Sequence, residues 1–326
     1  MTLYLTLILA GTAFGLILTP LVSAASSSLG LVDAPGGRKV HSTSVPRLGG
    51  VAVIAAAALT LFVVEPLVQG PTGTSRALQP ILIGALLVFA VGVLDDVWSL
   101  PPWPKLIVQI AAAAVVMQAG LLVERITVAG QTWELGIWSW PITLLWIVGV
   151  TNAFNLIDGV DGLAAGISVI AGATCAAILI ARAHTPEALL VLSLVGATIG
   201  FLVYNFAPAS IFLGDGGSLP VGFVLATTAI TGWQKGATAL AAGVPLLIFA
   251  LPIADAASAL ARRLSRGRRD EDASIRSIVR HVVEPDRDHI HHRLLALGLS
   301  PRRTVIVLYA LTLLFAAIAL VTAQIG

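Results

Sequence analysis

Charge is what this sequence has least of. Only 11% of its 326 residues are charged, against 57% hydrophobic, where a soluble domain carries about 25% charged residues. A water-soluble globular chain is excluded on that ground, and the mean hydropathy of +0.94 points to an integral membrane protein. Cysteine is nearly absent, with Cys175 alone. No disulfide can form within the chain, and one thiol in an apolar run reads as a small core residue. The net charge is only +2, and no nucleic-acid partner is expected. The opening MTLYLTLILAGTAFGLILTP lacks a basic segment and a small-residue cleavage site. It reads as a retained first helix rather than a signal peptide.

What the chain does have is apolar runs. Ten of them cover 2–23, 48–68, 78–94, 104–122, 140–156, 163–182, 187–204, 218–233, 237–261 and 304–324. A membrane-crossing helix needs roughly 20 mostly apolar residues, and at that length only helices satisfy the backbone in lipid. The expected fold is therefore all-α: a polytopic membrane bundle of about ten transmembrane helices, in one domain over 1–326. The segment RITVAGQTWELGIW, 125–138, alternates apolar and polar residues around Ala129 and Gly130 and predicts a short hairpin outside the bilayer.

With ten spans, one set of connections (24–47, 95–103, 157–162, 205–217 and 262–303) holds fifteen of the nineteen Lys and Arg, counting Lys105 at its boundary. The positive-inside rule puts that set in the cytoplasm and both termini outside. Eleven of those cations are arginines of 262–303, so the orientation rests mainly on that segment. The same side gathers thirteen of the seventeen acids, every aspartate included, counting Asp255 near the end of the run 237–261. Orientation alone does not require acids, and acids at a membrane edge are costly and usually functional.

Three aspartate clusters stand at span ends: GVLDDVWS with Asp95 and Asp96, NLIDGVDG with Asp158 and Asp161, and FLGDGGS with Asp215. Adjacent acids repel unless a cation or a shared proton intervenes. Hard oxygen ligands at an open site suit Mg²⁺, with Mn²⁺ as the alternative. Any one cluster is explained by helix capping; three on one face point to a site. In NAFNLIDGVDGL, Asn152, Asn155, Asp158 and Asp161 step by three. Each step drifts about 60° on a regular helix, so all four cannot share a face. Gly159 and Gly162 predict a helix end there, which would turn Asn155 and Asp158 into one cleft.

The stretch EPDRDHIHHRLLALGLSPRR carries His289, His291 and His292. A Zn²⁺ site is one reading of a histidine cluster, but no cysteine lies near. The neighbouring Arg287, Arg293, Arg302 and Arg303 favour an anionic ligand such as a pyrophosphate. Just upstream, Ile275, Ile278, Val279, Val282 and Val283 follow helical spacing, as in an amphipathic helix on an anionic membrane surface. A cytoplasmic cleft with acids for a metal and His/Arg for phosphate, at the membrane boundary, suits transfer of a phosphosugar from a soluble nucleotide to a lipid.

The ordered set GVLDD, NAFNLIDGVDGL, NFAPASIFLGDGGS, PIADAASALARR and PDRDHIHHRLL resembles the polyprenyl-phosphate N-acetylhexosamine-1-phosphate transferases, and within them the bacterial UDP-GlcNAc branch. The likeness runs from DAPGGRKVHSTSVPRLGG to HIHHRLLALG. It implies Asn155 and Asp215 as Mg²⁺ ligands, and Asp95 and Asp96 as the catalytic acid pair. Asp158 and Asp161 would line the nucleotide-sugar site, with Asn205 and Phe212 at the uracil. His289, His291 and His292 would lie near the pyrophosphate. Lys105 matches the basic residue after the paired acids. Arg38, Lys39, His41, Arg47, Asn152, Arg287 and Arg293 are taken with them as substrate-binding.

The resemblance implies transfer of GlcNAc-1-phosphate, or a related HexNAc-1-phosphate, from the UDP-sugar to undecaprenyl (or decaprenyl) phosphate. The expected setting is a bacterial inner membrane, with a homodimer as a family expectation. The phospho-MurNAc-pentapeptide translocase of peptidoglycan synthesis is the nearest alternative. Its first loop resembles PTMGG where this chain has VPRLGG, placing Arg47 where the translocase has a small polar residue. A lipid-phosphate or nucleotide-sugar transporter is the alternative from another class. Transporter sites lie near the midplane, often in repeated halves; here the acids stand at span ends.

Overall fold

A computed structural model describes residues 2–33, 44–69, 74–128, 131–234, 243–269 and 289–324. The chain opens with α1 (Thr2–Ser28), then a two-residue antiparallel pairing of β1 (Val32–Asp33) with β2 (Val45–Pro46). Next, α2 (Gly49–Leu59) runs through one π turn, Thr60–Val64, into α3 (Glu65–Gln69). After α4 (Thr74–Trp98) and α5 (Pro102–Gln118), β3 (Arg125–Val128) pairs antiparallel with β4 (Gln131–Glu134), forming the hairpin that the alternation predicts. Four long helices follow: α6 (Ser139–Ile157), α7 (Leu163–Ala181), α8 (Thr185–Asn205) and α9 (Asp215–Gln234). The chain ends in α10 (Gly243–Ile248), α11 (Ala250–Arg269), α12 (Ile290–Ala296) and α13 (Pro301–Gln324).

Where their residues are described, the apolar runs fall mainly on helices. Among the described residues, seven stretches are long and apolar enough to cross a membrane. The run 237–261 is split between α10 and α11, and its first residues lie outside the described ones. The amphipathic stretch around 275–283 also lies outside them.

Burial separates an inner layer from an outer one. α7 and α8 are 72% buried over their apolar windows, and α1 only 22%. Leu5, Leu9, Ile17 and Leu21 of α1, Leu145 of α6 and Leu313 and Leu314 of α13 are exposed. Such apolar faces would be a liability in water and are the ordinary face of a helix in lipid. Inside, small residues let backbones touch. A Cβ added to Gly11 would lie 2.9 Å from the Ala197 nitrogen, and one on Gly200 would lie 2.7 Å from the Leu16 nitrogen. With no hydrophobic drive between helices in lipid, such close van der Waals contact carries the association. Cys175 is buried in α7, a core residue as expected.

Tryptophans mark two levels. Trp98 and Trp103 are exposed at the α4–α5 corner, and Trp133, Trp138 and Trp140 at the hairpin and the start of α6. α5, with 17 residues, spans about 26 Å between these levels, close to the hydrocarbon thickness of a bilayer. Tryptophan belts belong at membrane–water boundaries. Asp95 and Asp96 stand one turn before Trp98, at one such boundary.

Candidate active site

Four segments meet at that boundary: the end of α4, the turn after α6, the loop 205–214 and the β1–β2 pair. They enclose a cavity of about 360 Å³. Asp33, Asp95, Asp96, Asp158, Asp161 and Asp215 line it, with Asn155, Asn205, Phe212 and Arg47. The acid clusters, far apart in the chain, come together because helix ends come together.

Asp96 reaches from α4 to the start of α9. Its two carboxylate oxygens accept the N–H groups of Asp215 and Gly216, each at 2.9 Å. This is an anion at a helix N-terminus, where unpaired N–H groups and the helix dipole favour it. Gly214 precedes it at φ +71°, and a Cβ there would lie 2.6 Å from the Asp96 carboxylate, so glycine is required on both counts. Asp95 accepts the Leu100 N–H at 2.9 Å and lies 3.3 Å from Lys105 Nζ. Lys105 also reaches Asp215 Oδ2 at 2.9 Å. On its other side, Asp215 Oδ1 accepts from Asn155 Nδ2 at 2.7 Å, and the same Nδ2 donates to Ser218 Oγ at 3.1 Å. Asp95, Lys105, Asp215 and Asn155 thus form one linked row.

The turn Asp158–Gly162 forms the opposite wall. α6 ends at Ile157, and Gly162 turns the chain at φ +79°. Asn205, 2% exposed, accepts the Gly162 N–H at 3.1 Å and donates to the Ile211 carbonyl at 2.9 Å. Asp161 accepts the Ala209 N–H at 2.9 Å. Phe212 donates its N–H to the Pro46 carbonyl at 2.8 Å and accepts at its own carbonyl from Gly49 at 2.9 Å. Arg47 pairs with Asp33 across the β1–β2 strands. Burial, then the charges of Asp215 and Asp96, push the Asp158 carboxyl well above the usual carboxylate range. Among the described residues these six acids are paired with two cations, Lys105 and Arg47, an excess of negative charge.

Not every expected residue reaches this cavity. Asn152 turns the other way on α6 and pairs with Gln109 of α5 and the Val148 carbonyl, so it does not line the cavity. The histidines stand behind the Asp158–Gly162 turn. His289 and His291 are buried. His292 lines a second cavity of about 330 Å³, walled by Ala207, Pro208, Leu295 and Pro301, which shares Gly159, Val160 and Asp161 with the first. Arg293 is exposed on α12 and lines neither cavity. Arg38, Lys39, His41 and Arg287 lie outside the described residues.

Three contributors were not foreseen as site residues. Asp33 lines the cavity, and its only signal is an acid beside the glycines of DAPGG. Tyr309 of α13 donates its hydroxyl to the Gly162 carbonyl, with no signal in an apolar helix. Asp255 of α11 holds the start of α12 through His289 and the Ile290 N–H.

Does the site fit a divalent cation? Among the described residues no group of three or more His, Cys, Asp or Glu is placed to hold a metal ion. Mg²⁺ does not need one: it keeps several waters and takes one or two carboxylates plus substrate phosphate. Asp215 and Asn155 touch in the middle of the acid cluster. A half-turn of the Asn155 amide presents its oxygen in place of its nitrogen. The donor set and the excess of negative charge both fit a hard cation.

The family described as Glycosyl transferase family 4 matches residues 78–233. A protein of Bacillus subtilis (strain 168) named probable undecaprenyl-phosphate N-acetylglucosaminyl 1-phosphate transferase is 37% identical over 308 residues, covering 94% of this chain and 81% of its own length. The chain belongs to glycosyl transferase family 4. This family 4 protein is also similar to the decaprenyl-phosphate N-acetylglucosaminephosphotransferase of Mycobacterium tuberculosis (strain ATCC 25618 / H37Rv), at 33% identity over 87% of this chain and 74% of the relative. The undecaprenyl-phosphate alpha-N-acetylglucosaminyl 1-phosphate transferase of Escherichia coli (strain K12) is 27% identical over 90% and 77%. The matched region 78–233 contains Asp95, Asp96, Asn155, Asp158, Asp161, Asn205, Phe212 and Asp215, which line the family 4 cavity.

Proposed function

We propose that the chain transfers GlcNAc-1-phosphate from UDP-GlcNAc to undecaprenyl phosphate or a related polyprenyl phosphate. The products are the polyprenyl-diphospho-GlcNAc and UMP. One observation carries the reading: six carboxylates, with Lys105 bridging two of them, surround a cavity level with a tryptophan belt. A lipid phosphate lives at that depth, and a nucleotide sugar arrives there from water. The names of the relatives support the same donor sugar and lipid class.

In the reaction an oxygen of the lipid phosphate attacks the sugar-bearing phosphorus of the donor. A new P–O–P bond forms, the old one breaks, and its electron pair leaves with UMP. Phosphoryl transfer leaves the protein mainly positioning and electrostatics to supply. Asp215 and Asn155 would hold Mg²⁺ (Mn²⁺ as the alternative), which supplies Lewis-acid neutralisation of the pyrophosphate oxygens. Asp96 fixes the backbone that carries Asp215. Lys105 bridges Asp95 and Asp215 and offers a cation to an incoming phosphate. The turn Asp158–Gly162, braced by Asn205, and Phe212 across from it supply the walls for the nucleotide. A lipid phosphate has its second pKa near ~6 and is mostly dianionic at neutral pH. Asp95 and Asp96 therefore act through charge and position more than as proton acceptors.

We place the site on the cytoplasmic face of a bacterial inner membrane, with both termini outside, because the Lys and Arg gather on that side. The test uses purified protein in detergent with Mg²⁺ and undecaprenyl phosphate. Label from UDP-GlcNAc should enter the lipid phase, and label from UDP-MurNAc-pentapeptide should not. The reverse pattern would assign the peptidoglycan branch instead.

A further inference from the structure

Asp255 lies on α11, outside the acid clusters, and lines neither cavity. It is nonetheless buried, at 5% exposure. Its Oδ1 accepts the Ile290 N–H at 2.8 Å and its Oδ2 lies 2.9 Å from His289 Nδ1. A carboxylate between two nitrogens is an acceptor only, so His289 carries its proton on Nδ1. The same contact fastens the N-terminus of α12 to α11. Two residues on, the His291 ring lies parallel to that of His289, at 5° and 5.7 Å. His291 is 1% exposed, neither of its ring nitrogens has a hydrogen-bond partner among the described residues, and a Cβ added to Gly159 would lie 2.7 Å from its Nε2. The ring is wedged against the back of the turn that carries Asp158 and Asp161. Among the described residues packing holds it there, so its seat depends on how α12 begins.

We propose that Asp255 is a positioning residue for the transfer: it sets the Nδ1–H tautomer of His289 and seats His291 behind the Asp158–Gly162 turn, and so fixes the wall of the catalytic cavity. This rests on the transferase reading above. Carboxylates that orient a ligating histidine behave in this way at metal sites, where their loss costs about 10- to 100-fold.

Asp255→Asn separates this role from packing. The amide has nearly the same shape but only one acceptor, and the site has two N–H donors. The backbone N–H of Ile290 cannot change, so the amide NH₂ must face His289 and force its proton to Nε2. We expect kcat to fall about 10- to 100-fold with KM for UDP-GlcNAc unchanged, since a displaced wall is felt in the transition state. The ¹⁵N imidazole spectrum of the variant should show His289 moved to the Nε2–H tautomer. Parental turnover in a folded Asp255→Asn protein overturns the proposal. So does a tautomer switch with no loss of kcat. The wild-type spectrum gives a reading that needs neither the variant nor activity: His289 should be Nδ1–H, and an Nε2–H signal overturns the proposal. Failure of the wild-type protein to label lipid would sink the transferase reading instead, and leaves that spectrum readable.

Discussion

At the scale of single residues, the site separates charge from position. Asp96 accepts two backbone N–H groups of α9, which an amide cannot do, because one of its two atoms would face a donor with a donor. Asp96→Asn should therefore loosen the seat of Asp215 and lower turnover about 100-fold. The loss should persist from pH 7 to 9, where the lipid phosphate is already dianionic. Recovery of rate at the higher pH would return Asp96 to the role of a base. His291 yields a second expectation. Burial, and then the neighbouring His292, hold its imidazole down to about 4, against about 6.5 in an unfolded chain. The unfolded state binds the proton first, so stability from this group is complete above pH 6.5 and is lost as pH falls toward 4. At pH 4.5 the loss is about 2 to 3 kcal/mol. Thermal unfolding in detergent at pH 7 and 4.5 should show the fall, and His291→Phe should flatten it. An equal fall in the variant would place the acid sensitivity elsewhere.

At the scale of elements, the site is a meeting of helix ends braced by loops. Asn205 joins the turn after α6 to the loop before α9. Asn205→Ala strands the Gly162 N–H and the Ile211 carbonyl, a cost of about 3 kcal/mol for two buried groups, readable as a lower melting temperature. Gly92 of α4 packs its backbone on Asp215, leaving no room for a Cβ. Gly92→Ala should cut activity more than Asn205→Ala at equal stability, because it pushes directly on the residue that would hold the metal. How far this was readable in advance differs by element. The end of α6 was legible from Gly159 and Gly162, the hairpin from its alternation, and the acid clusters from their places at span ends. Asn152 misled, because a spacing of three in a helix turns a side chain about 60°, enough to face α5 rather than the cavity. Asp255 stood within PIADAASALARR, but its pairing with His289, like that of Tyr309 with Gly162, was hidden because the partners lie far along the chain. The histidine placement was hidden for the same reason: a short helix can present its residues to a wall from behind as easily as from within.

At the scale of the whole molecule, two tryptophan levels and an apolar outer face set the bundle across a bilayer, with the acid cavity at one boundary. On the proposed reading, that placement accounts for so much negative charge near a lipid headgroup: a cation would join two anionic substrates there. Removing divalent ions with EDTA should abolish transfer, and added Mg²⁺ should restore it; transfer that continues in EDTA would leave Asp215 and Asn155 without that task. The central claim, that sugar and phosphate move together, is tested by which bond breaks. UDP-GlcNAc carrying ³²P at the sugar-bearing phosphorus and ³H in the sugar is given to the purified protein with undecaprenyl phosphate and Mg²⁺. Equal molar amounts of both labels in the lipid, with UMP as the nucleotide product, are the predicted result; ³H in the lipid with ³²P left in UDP would contradict the account.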